Sequence, residues 1–163
     1  MKLKILLLSG MLLKIVIKFI LFMFLFFYNT NFTLPNKRPV KKWLTEVVKQ
    51  THKKVGQINI VFCNDEQLLV LNKQFLNHNA LTDILTFDSS DKKFLHADIY
   101  ISIDRVIENA RKYKNNFEEE LRRVMVHGIL HLCGYKDKKI VDRQLMKQKE
   151  DEALTIFNSL FNY

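Results

Sequence analysis

The run NFEEELRRVMVHGILHLCG, residues 116–134, constrains the fold more than any other stretch of this chain. It carries both a start signal and a stop signal for a helix. Asn116 can accept a hydrogen bond from the first turn, and Glu119 three residues later completes a capping-box pattern with Asn in place of Ser or Thr. Glu118, Glu119 and Glu120 fall where the helix dipole favours acidic groups. Leu121, Val124, Met125, Ile129 and Leu132 recur at helical spacing, and Gly134 supplies a left-handed exit. A helix with so broad an apolar stripe must bury it against a second layer.

The rest of the chain can supply that layer. LFFYNT, QINIVFCN, a short segment over Ile84–Phe87 and HADIYISID read as strands, from apolar alternation and β-branched content. Between them lie helical patterns. Val40–His52 carries Val40, Trp43, Leu44, Val47 and Val48 on one face, with Gly56 marking the exit. DEQLLVLNKQFLN comes after a cap at Asn64, with Leu68, Leu69, Leu71, Asn72 and Phe75 on its stripe. RVIENARKYK comes after a cap at Asp104, and a last helix over Ile140–Phe161 turns Leu145, Met146, Ala153, Phe157 and Leu160 inward. The fold class expected is α/β (α+β), a small four-stranded mixed sheet covered by about five helices.

Length and charge narrow the functional classes. The 163 residues fit one domain, and 48% apolar content can fill a core. Cys63 and Cys133 lack CxxC spacing, which excludes a disulfide scaffold and fits a reducing, cytoplasmic compartment. The net charge is +9, an excess that suits a polyanion such as nucleic acid or an anionic membrane, although solubility alone also accounts for it. Residues 1–23 form an apolar N-terminal extension, read as an upstream mis-start or a membrane anchor, and residues 24–163 form the folded domain. Lys14 and Lys18 interrupt that extension at about 3 kcal/mol each for insertion, and no clear signal-peptidase site comes after it. Without Lys2, Lys4, Lys14 and Lys18 the charge falls to +5, so the domain itself remains basic.

His127 and His131 lie one turn apart, about 40° round the helix, on the flank of the apolar stripe. Two such imidazoles can bind one divalent ion. Six residues beyond His131, past the Gly134 turn, comes Asp137, close enough in sequence to fold back and add a carboxylate. Three protein ligands with an open fourth position form the pattern of a catalytic zinc site, and zinc accepts two imidazoles and a carboxylate. Asp137 also reads as a solvated loop acid among Lys136, Lys138 and Lys139. The zincin motif HExxH places a general base after its first histidine. Gly128 stands there instead, which removes protease chemistry and points to a close approach of another element.

These residues carry a resemblance. HGILHLCGYKD resembles the signature H-G-x-L-H-L-x-G-x-D-H of the YbeY family of metal-dependent endoribonucleases, through His127, Gly128, Leu130, His131, Leu132 and Gly134. LNKQFLNHNALTDILTFD is similar to the family segment ending in T-D-V-L-S-F-P, and HADIYISID to its G-D-I-x-I-S strand. NFTLPNKRPVKKWL is similar to the family's opening and helix after its first strand. The similarity spans Phe26 to Phe161. It departs in two places: Asp137 stands where the family's third ligand is histidine, and Leu76 where the family carries an arginine thought to meet RNA phosphate.

The resemblance implies a metalloprotease-like fold and a single-strand-specific, zinc-dependent endoribonuclease, a cytoplasmic hydrolase of late 16S rRNA 3′-end maturation and ribosome quality control. One Zn2+ would be held by His127, His131 and Asp137, which would also carry catalysis through that ion. Its partners would be 16S precursor RNA and the small ribosomal subunit, with a membrane involved only through residues 1–23. Asp83 and Thr82 would lie near the cleft. Lys73, Lys136, Lys138 and Arg123 are the candidate RNA contacts that would serve in place of the missing arginine. Leu76 also supports an alternative: an RNA-binding assembly factor with a structural metal and little catalytic activity.

Overall fold

A computed structural model describes residues 23–162. The expected extension therefore lies, except for Met23, outside the described residues. Strand β1 (Met23–Tyr28) leads to helix α1 (Lys37–Lys49) and strand β2 (Lys54–Cys63). Next come helix α2 (Asp65–Leu76), strands β3 (Ile84–Asp88) and β4 (Phe94–Ser102), and helices α3 (Ile103–Tyr113), α4 (Phe117–Leu132) and α5 (Ile140–Phe161). The sheet order is β1-β2-β4-β3, with β1, β2 and β4 parallel and β3 antiparallel to β4. The described residues thus show the expected four-stranded mixed sheet and five helices. Among them no helix is long and apolar enough to cross a membrane.

The sheet has two unequal faces because strand residues alternate. Ile58, Ile60 and Phe62 of β2 and Leu95, Ala97, Ile99 and Ile101 of β4 turn toward α1, α4 and α5 and form the main core. The five apolar residues expected inward on α1 are all buried, as are the five on α4. The opposite face carries a small cluster, Cys63, Leu68 and Leu85, capped by Leu71, Phe87 and Tyr100 under α2. Two contacts fix where α5 lies. The indole N–H of Trp43 donates to the Ala153 carbonyl at 2.6 Å, and the Trp43 ring meets Phe157 edge-on at 5.4 Å.

Several local expectations are corrected. Gly56 does not end a helix; it lies inside β2 beside an irregularity between Val55 and Ile58, where His96 Nδ1 accepts from the Gln57 N–H at 3.1 Å. Ser102, rather than Asp104, caps α3 by accepting from the Arg105 N–H. Asp104 instead accepts from the Asp65 N–H across the helix pair at 2.9 Å. Helix α1 starts three residues before Val40, since Pro39 is tolerated in a first turn. On α5, Leu145 is exposed, and Glu150 occupies the inward face with Met146, Ala153, Leu154 and Phe157. Phe75 is 57% exposed, so the α2 stripe is narrower than its sequence implies.

Gly128 shows why α4 lies so close to the sheet. A Cβ there would come 2.7 Å from Ile84 Cδ1 and 3.3 Å from Thr86 Oγ1. The position faces β3 and β4, not the open cleft. Gly128→Val is therefore expected to lower the free energy of unfolding by about 1–3 kcal/mol through overpacking, measured by urea denaturation. An unchanged midpoint would contradict this contact.

Candidate metal centre

Helix α4 is built to deliver two imidazoles to one spot. Asn116 Oδ1 accepts from the Glu119 N–H at 2.7 Å and starts the helix. At the other end Gly134 adopts φ +98°, Gly134 N–H donates to the His131 carbonyl and Tyr135 N–H to the Leu130 carbonyl. That is a Schellman motif, which reverses the chain over the last helical turn. The reversal brings Asp137 back to the histidines. His127 Nε2 and His131 Nε2 stand 3.0 Å apart, and Asp137 Oδ2 lies 3.8 Å from the first and 3.6 Å from the second. The three expected ligand residues thus form one cluster capable of holding a metal ion.

The proton positions make the cluster specific. His127 Nδ1 lies 2.7 Å from Glu150 Oε1, and His131 Nδ1 lies 3.0 Å from the Tyr135 carbonyl. Both partners are pure acceptors, so each neutral imidazole keeps its proton on Nδ1 and leaves a lone pair on Nε2. Two nitrogen lone pairs and a carboxylate oxygen then converge with no donor among them, an arrangement that a cation relieves. These separations put an equidistant point about 2.0 Å from all three atoms, the length of a zinc–imidazole bond. The donor set therefore fits a divalent ion. Access is from the Asp137 side: relative exposure rises from 23% at His127 through 31% at His131 to 43% at Asp137.

Glu150 is the residue that the sequence reading missed. It is 8% exposed, and it joins His127 to Arg123, whose guanidinium lies 3.2 Å from Glu150 Oε2 and 2.6 Å from Asp151 Oδ1. A carboxylate that orients a metal-binding histidine through Nδ1 is the usual supporting partner of such a site. The available signal was a charged residue in register with Met146, Ala153 and Leu154 on an apolar face. The Tyr135 carbonyl carried no such signal, because backbone acceptors are invisible in residue type. Burial alone would depress the His127 pKa; the hydrogen bond and charge of Glu150, helped by Asp83 and Asp137, outweigh it and raise it above the ordinary histidine value. Burial pushes the thiols up, that of Cys63 to about 12 and that of Cys133 above its usual range, so neither offers a ready thiolate.

The candidate RNA contacts divide. Arg123 is tied into the Glu150–Asp151 bridge. Lys136 and Lys138 are exposed on either side of Asp137, and Lys73 is exposed in the last turn of α2. Leu76 ends that helix, half exposed. Asp83 accepts from Asn109 Nδ2 at 3.0 Å and directly precedes Ile84, which packs on Gly128. Thr82 bonds locally to the Ile84 carbonyl.

Comparison with known proteins places the chain among relatives that share its fold. The family model described as Endoribonuclease YbeY matches residues 28–158. The chain is 49% identical over 133 residues to the Endoribonuclease YbeY of Flavobacterium psychrophilum, covering 82% of this chain and 95% of that one. Against the protein of the same name from Porphyromonas gingivalis the identity is 46%, covering 80% and 87%. The solution structure of TM1509 from Thermotoga maritima superposes with a TM-score of 0.62 at 28% identity, covering 86% and 92%.

Two measurements test the centre. Glu150→Gln keeps the shape and removes the charge, so metal affinity is expected to fall about 10- to 100-fold against a chromophoric chelator. Affinity in the unaltered protein should also fall with decreasing pH, because a proton favoured on His127 competes with the ion. In the metal-free protein the sign reverses. The raised His127 value adds stability below the ordinary histidine pKa and loses it as pH rises through the raised one. Wild-type affinity in Glu150→Gln would remove Glu150 from the site.

Proposed function

The chain belongs to the YbeY endoribonuclease family, and on that premise we propose that it is a zinc-dependent endoribonuclease that cuts single-stranded RNA during late 16S rRNA 3′-end maturation and ribosome quality control. The observation that carries this reading is the convergence of three proton-free acceptors, His127 Nε2, His131 Nε2 and Asp137 Oδ2, at the exposed end of α4. An ion held there would supply Lewis acidity toward a phosphate oxygen and lower the pKa of water. The chain's own groups do the rest. Glu150 and the Tyr135 carbonyl fix both rings and keep their protons away from the cluster. Arg123 neutralises part of the carboxylate charge behind His127. Lys136, Lys138 and Lys73 stand free of the ion pairs that hold Arg123 and draw the RNA backbone toward the site, giving salt-sensitive binding.

The pattern at position 128 separates this from protease chemistry. Gly128 faces the sheet, so a glutamate there would point into β3 rather than at a bound substrate. The domain that performs the reaction is residues 24–163, with residues 1–23 as an extension dispensable for it. We place the activity in the cytoplasm, with 16S precursor RNA and the small ribosomal subunit as partners. Leu76 at the family's arginine position favours a second reading, an RNA-binding assembly factor whose metal is structural. The partly exposed Asp137 edge of the cluster favours the enzyme.

Zinc content and RNA cleavage decide between them. The purified protein is expected to hold about one zinc per chain and to cut a single-stranded RNA in a chelator-sensitive way. His131→Ala should lose the zinc, and Asp137→Ala should lose most of the cleavage. Chains starting at Met1 and at Met23 should cleave equally. Undiminished zinc in His131→Ala would sink the ligand assignment. Zinc-loaded protein that binds RNA without cutting it would establish the assembly factor.

A further inference from the structure

One exposed aromatic has no role in the core or in the metal cluster. Phe75 lies in the last turn of α2 with 57% of its surface exposed, and Leu76 next to it is 50% exposed. Its ring is nonetheless fixed: it meets Phe87 of β3 edge-on at 5.3 Å, and Phe87 meets Tyr100 of β4 edge-on at 5.7 Å. The end of α2 is fixed too, since Asn72 Nδ2 donates to the Ala80 carbonyl at 2.8 Å and Asn77 closes the helix in a left-handed turn. A half-exposed phenyl ring forgoes part of the burial that would otherwise stabilise it. Here one ring contact braces it, and more than half of its surface stays open to solvent.

Its position relative to the metal cluster comes from the pleat of β3. The Ile84 side chain packs against Gly128, beside His127, whereas Phe87 turns to the other face. Only β3 separates the two, and among the described residues β3 is an edge strand. Along the strand, Ile84 and Phe87 are about 10 Å apart. The edge is also chemically open. Ser102 N–H donates to the Asp83 carbonyl and Ser89 N–H to the His96 carbonyl, so the residues bonded to β4 alternate from Asp83 through Leu85 and Phe87. Ile84 and Thr86 therefore turn their backbone groups outward; Thr82 Oγ1 donates to the Ile84 carbonyl, which leaves the Ile84 N–H and both Thr86 groups facing out.

We propose that Phe75, braced on Phe87 at the free edge of β3, is a stacking platform for a nucleobase of single-stranded RNA whose backbone crosses β3 to reach the His127–His131–Asp137 cluster. The proposal rests on the ribonuclease reading and adds to it the place where a base is held. Charge complementarity selects RNA over a protein partner. Lys136 and Lys138 are exposed on either side of Asp137, and without Lys2, Lys4, Lys14 and Lys18 the chain still carries +5. A ring, an open strand edge and a lysine-flanked cluster match a polyanion that carries flat bases. Stacking on an aromatic face tolerates any base and needs no arginine, which fits Leu76 beside the ring.

The test uses equilibrium binding and steady-state cleavage of short oligoadenylate and oligouridylate by the zinc-loaded full chain. Phe75→Ala is expected to raise KM and Kd for oligoadenylate about ten-fold, with kcat and zinc content near wild type. Phe75→Trp should restore or tighten binding. The wild-type preference for oligoadenylate, the stronger stacker, should shrink in Phe75→Ala, while the salt dependence of binding stays as it was, because no phosphate contact is lost. Wild-type Kd in Phe75→Ala would overturn the platform. So would self-association of the wild type that vanishes in Phe75→Ala while RNA binding does not change, since the ring would then serve a second copy of the chain. Failure of the wild-type protein to bind either oligomer would instead sink the ribonuclease reading itself.

Discussion

The hydrogen bond between His127 Nδ1 and Glu150 Oε1, 2.7 Å long and largely buried, is the interaction on which the site depends. It joins the two long helices and sets the tautomer of His127, and the other oxygen of Glu150 shares the Arg123 guanidinium with Asp151. Its geometry is imposed from elsewhere. Trp43 of α1 donates to the carbonyl of Ala153, one turn past Glu150, and so locks the register of α5 against the sheet layer. A slip of α5 by one residue would turn Glu150 by about 100° and leave His127 with a buried, unpaired nitrogen. The core of the domain therefore specifies the chemistry at its edge.

With both rings neutral, the cluster carries the negative charge of Asp137, which a third neutral imidazole would not bring. Lys136 and Lys138 adjoin that carboxylate in the same loop. The loop is short, and the left-handed Gly134 controls its direction. A β-carbon there would meet no neighbouring atom, so the demand for glycine comes from the backbone angle alone. Gly128 has the opposite reason: its backbone is helical, and the sheet beneath it leaves no room. One glycine thus turns Asp137 toward the histidines, and the other lets the helix bearing them settle onto β3.

Much of the fold is legible in the sequence because periodicity records burial directly. The stripes of α1 and α4 can be read residue for residue, and Asn64 does close a reciprocal box with Gln67. The errors cluster where a distant residue decides. Gly56 looks like a helix exit until His96, far along the chain, fastens the β2 irregularity beside it. Asp104 looks like a cap until Asp65 draws its carboxylate away. Phe75 fits a helical stripe, yet the cluster beneath α2 is too small to cover it.

At the site, the sequence by itself determined the candidate ligand types and their spacing. Two histidines one turn apart, a glycine exit and an acid six residues on can be read without coordinates, because a helix and its terminus are local structures. Tertiary structure alone decided that Glu150 lies behind His127, that Arg123 is tied up in pairing, and that Phe75 rests on Phe87 of β3. The reason is physical. Each of these depends on the packing of helices against a sheet whose strands are far apart in sequence, and a short-range pattern holds no information on that distance.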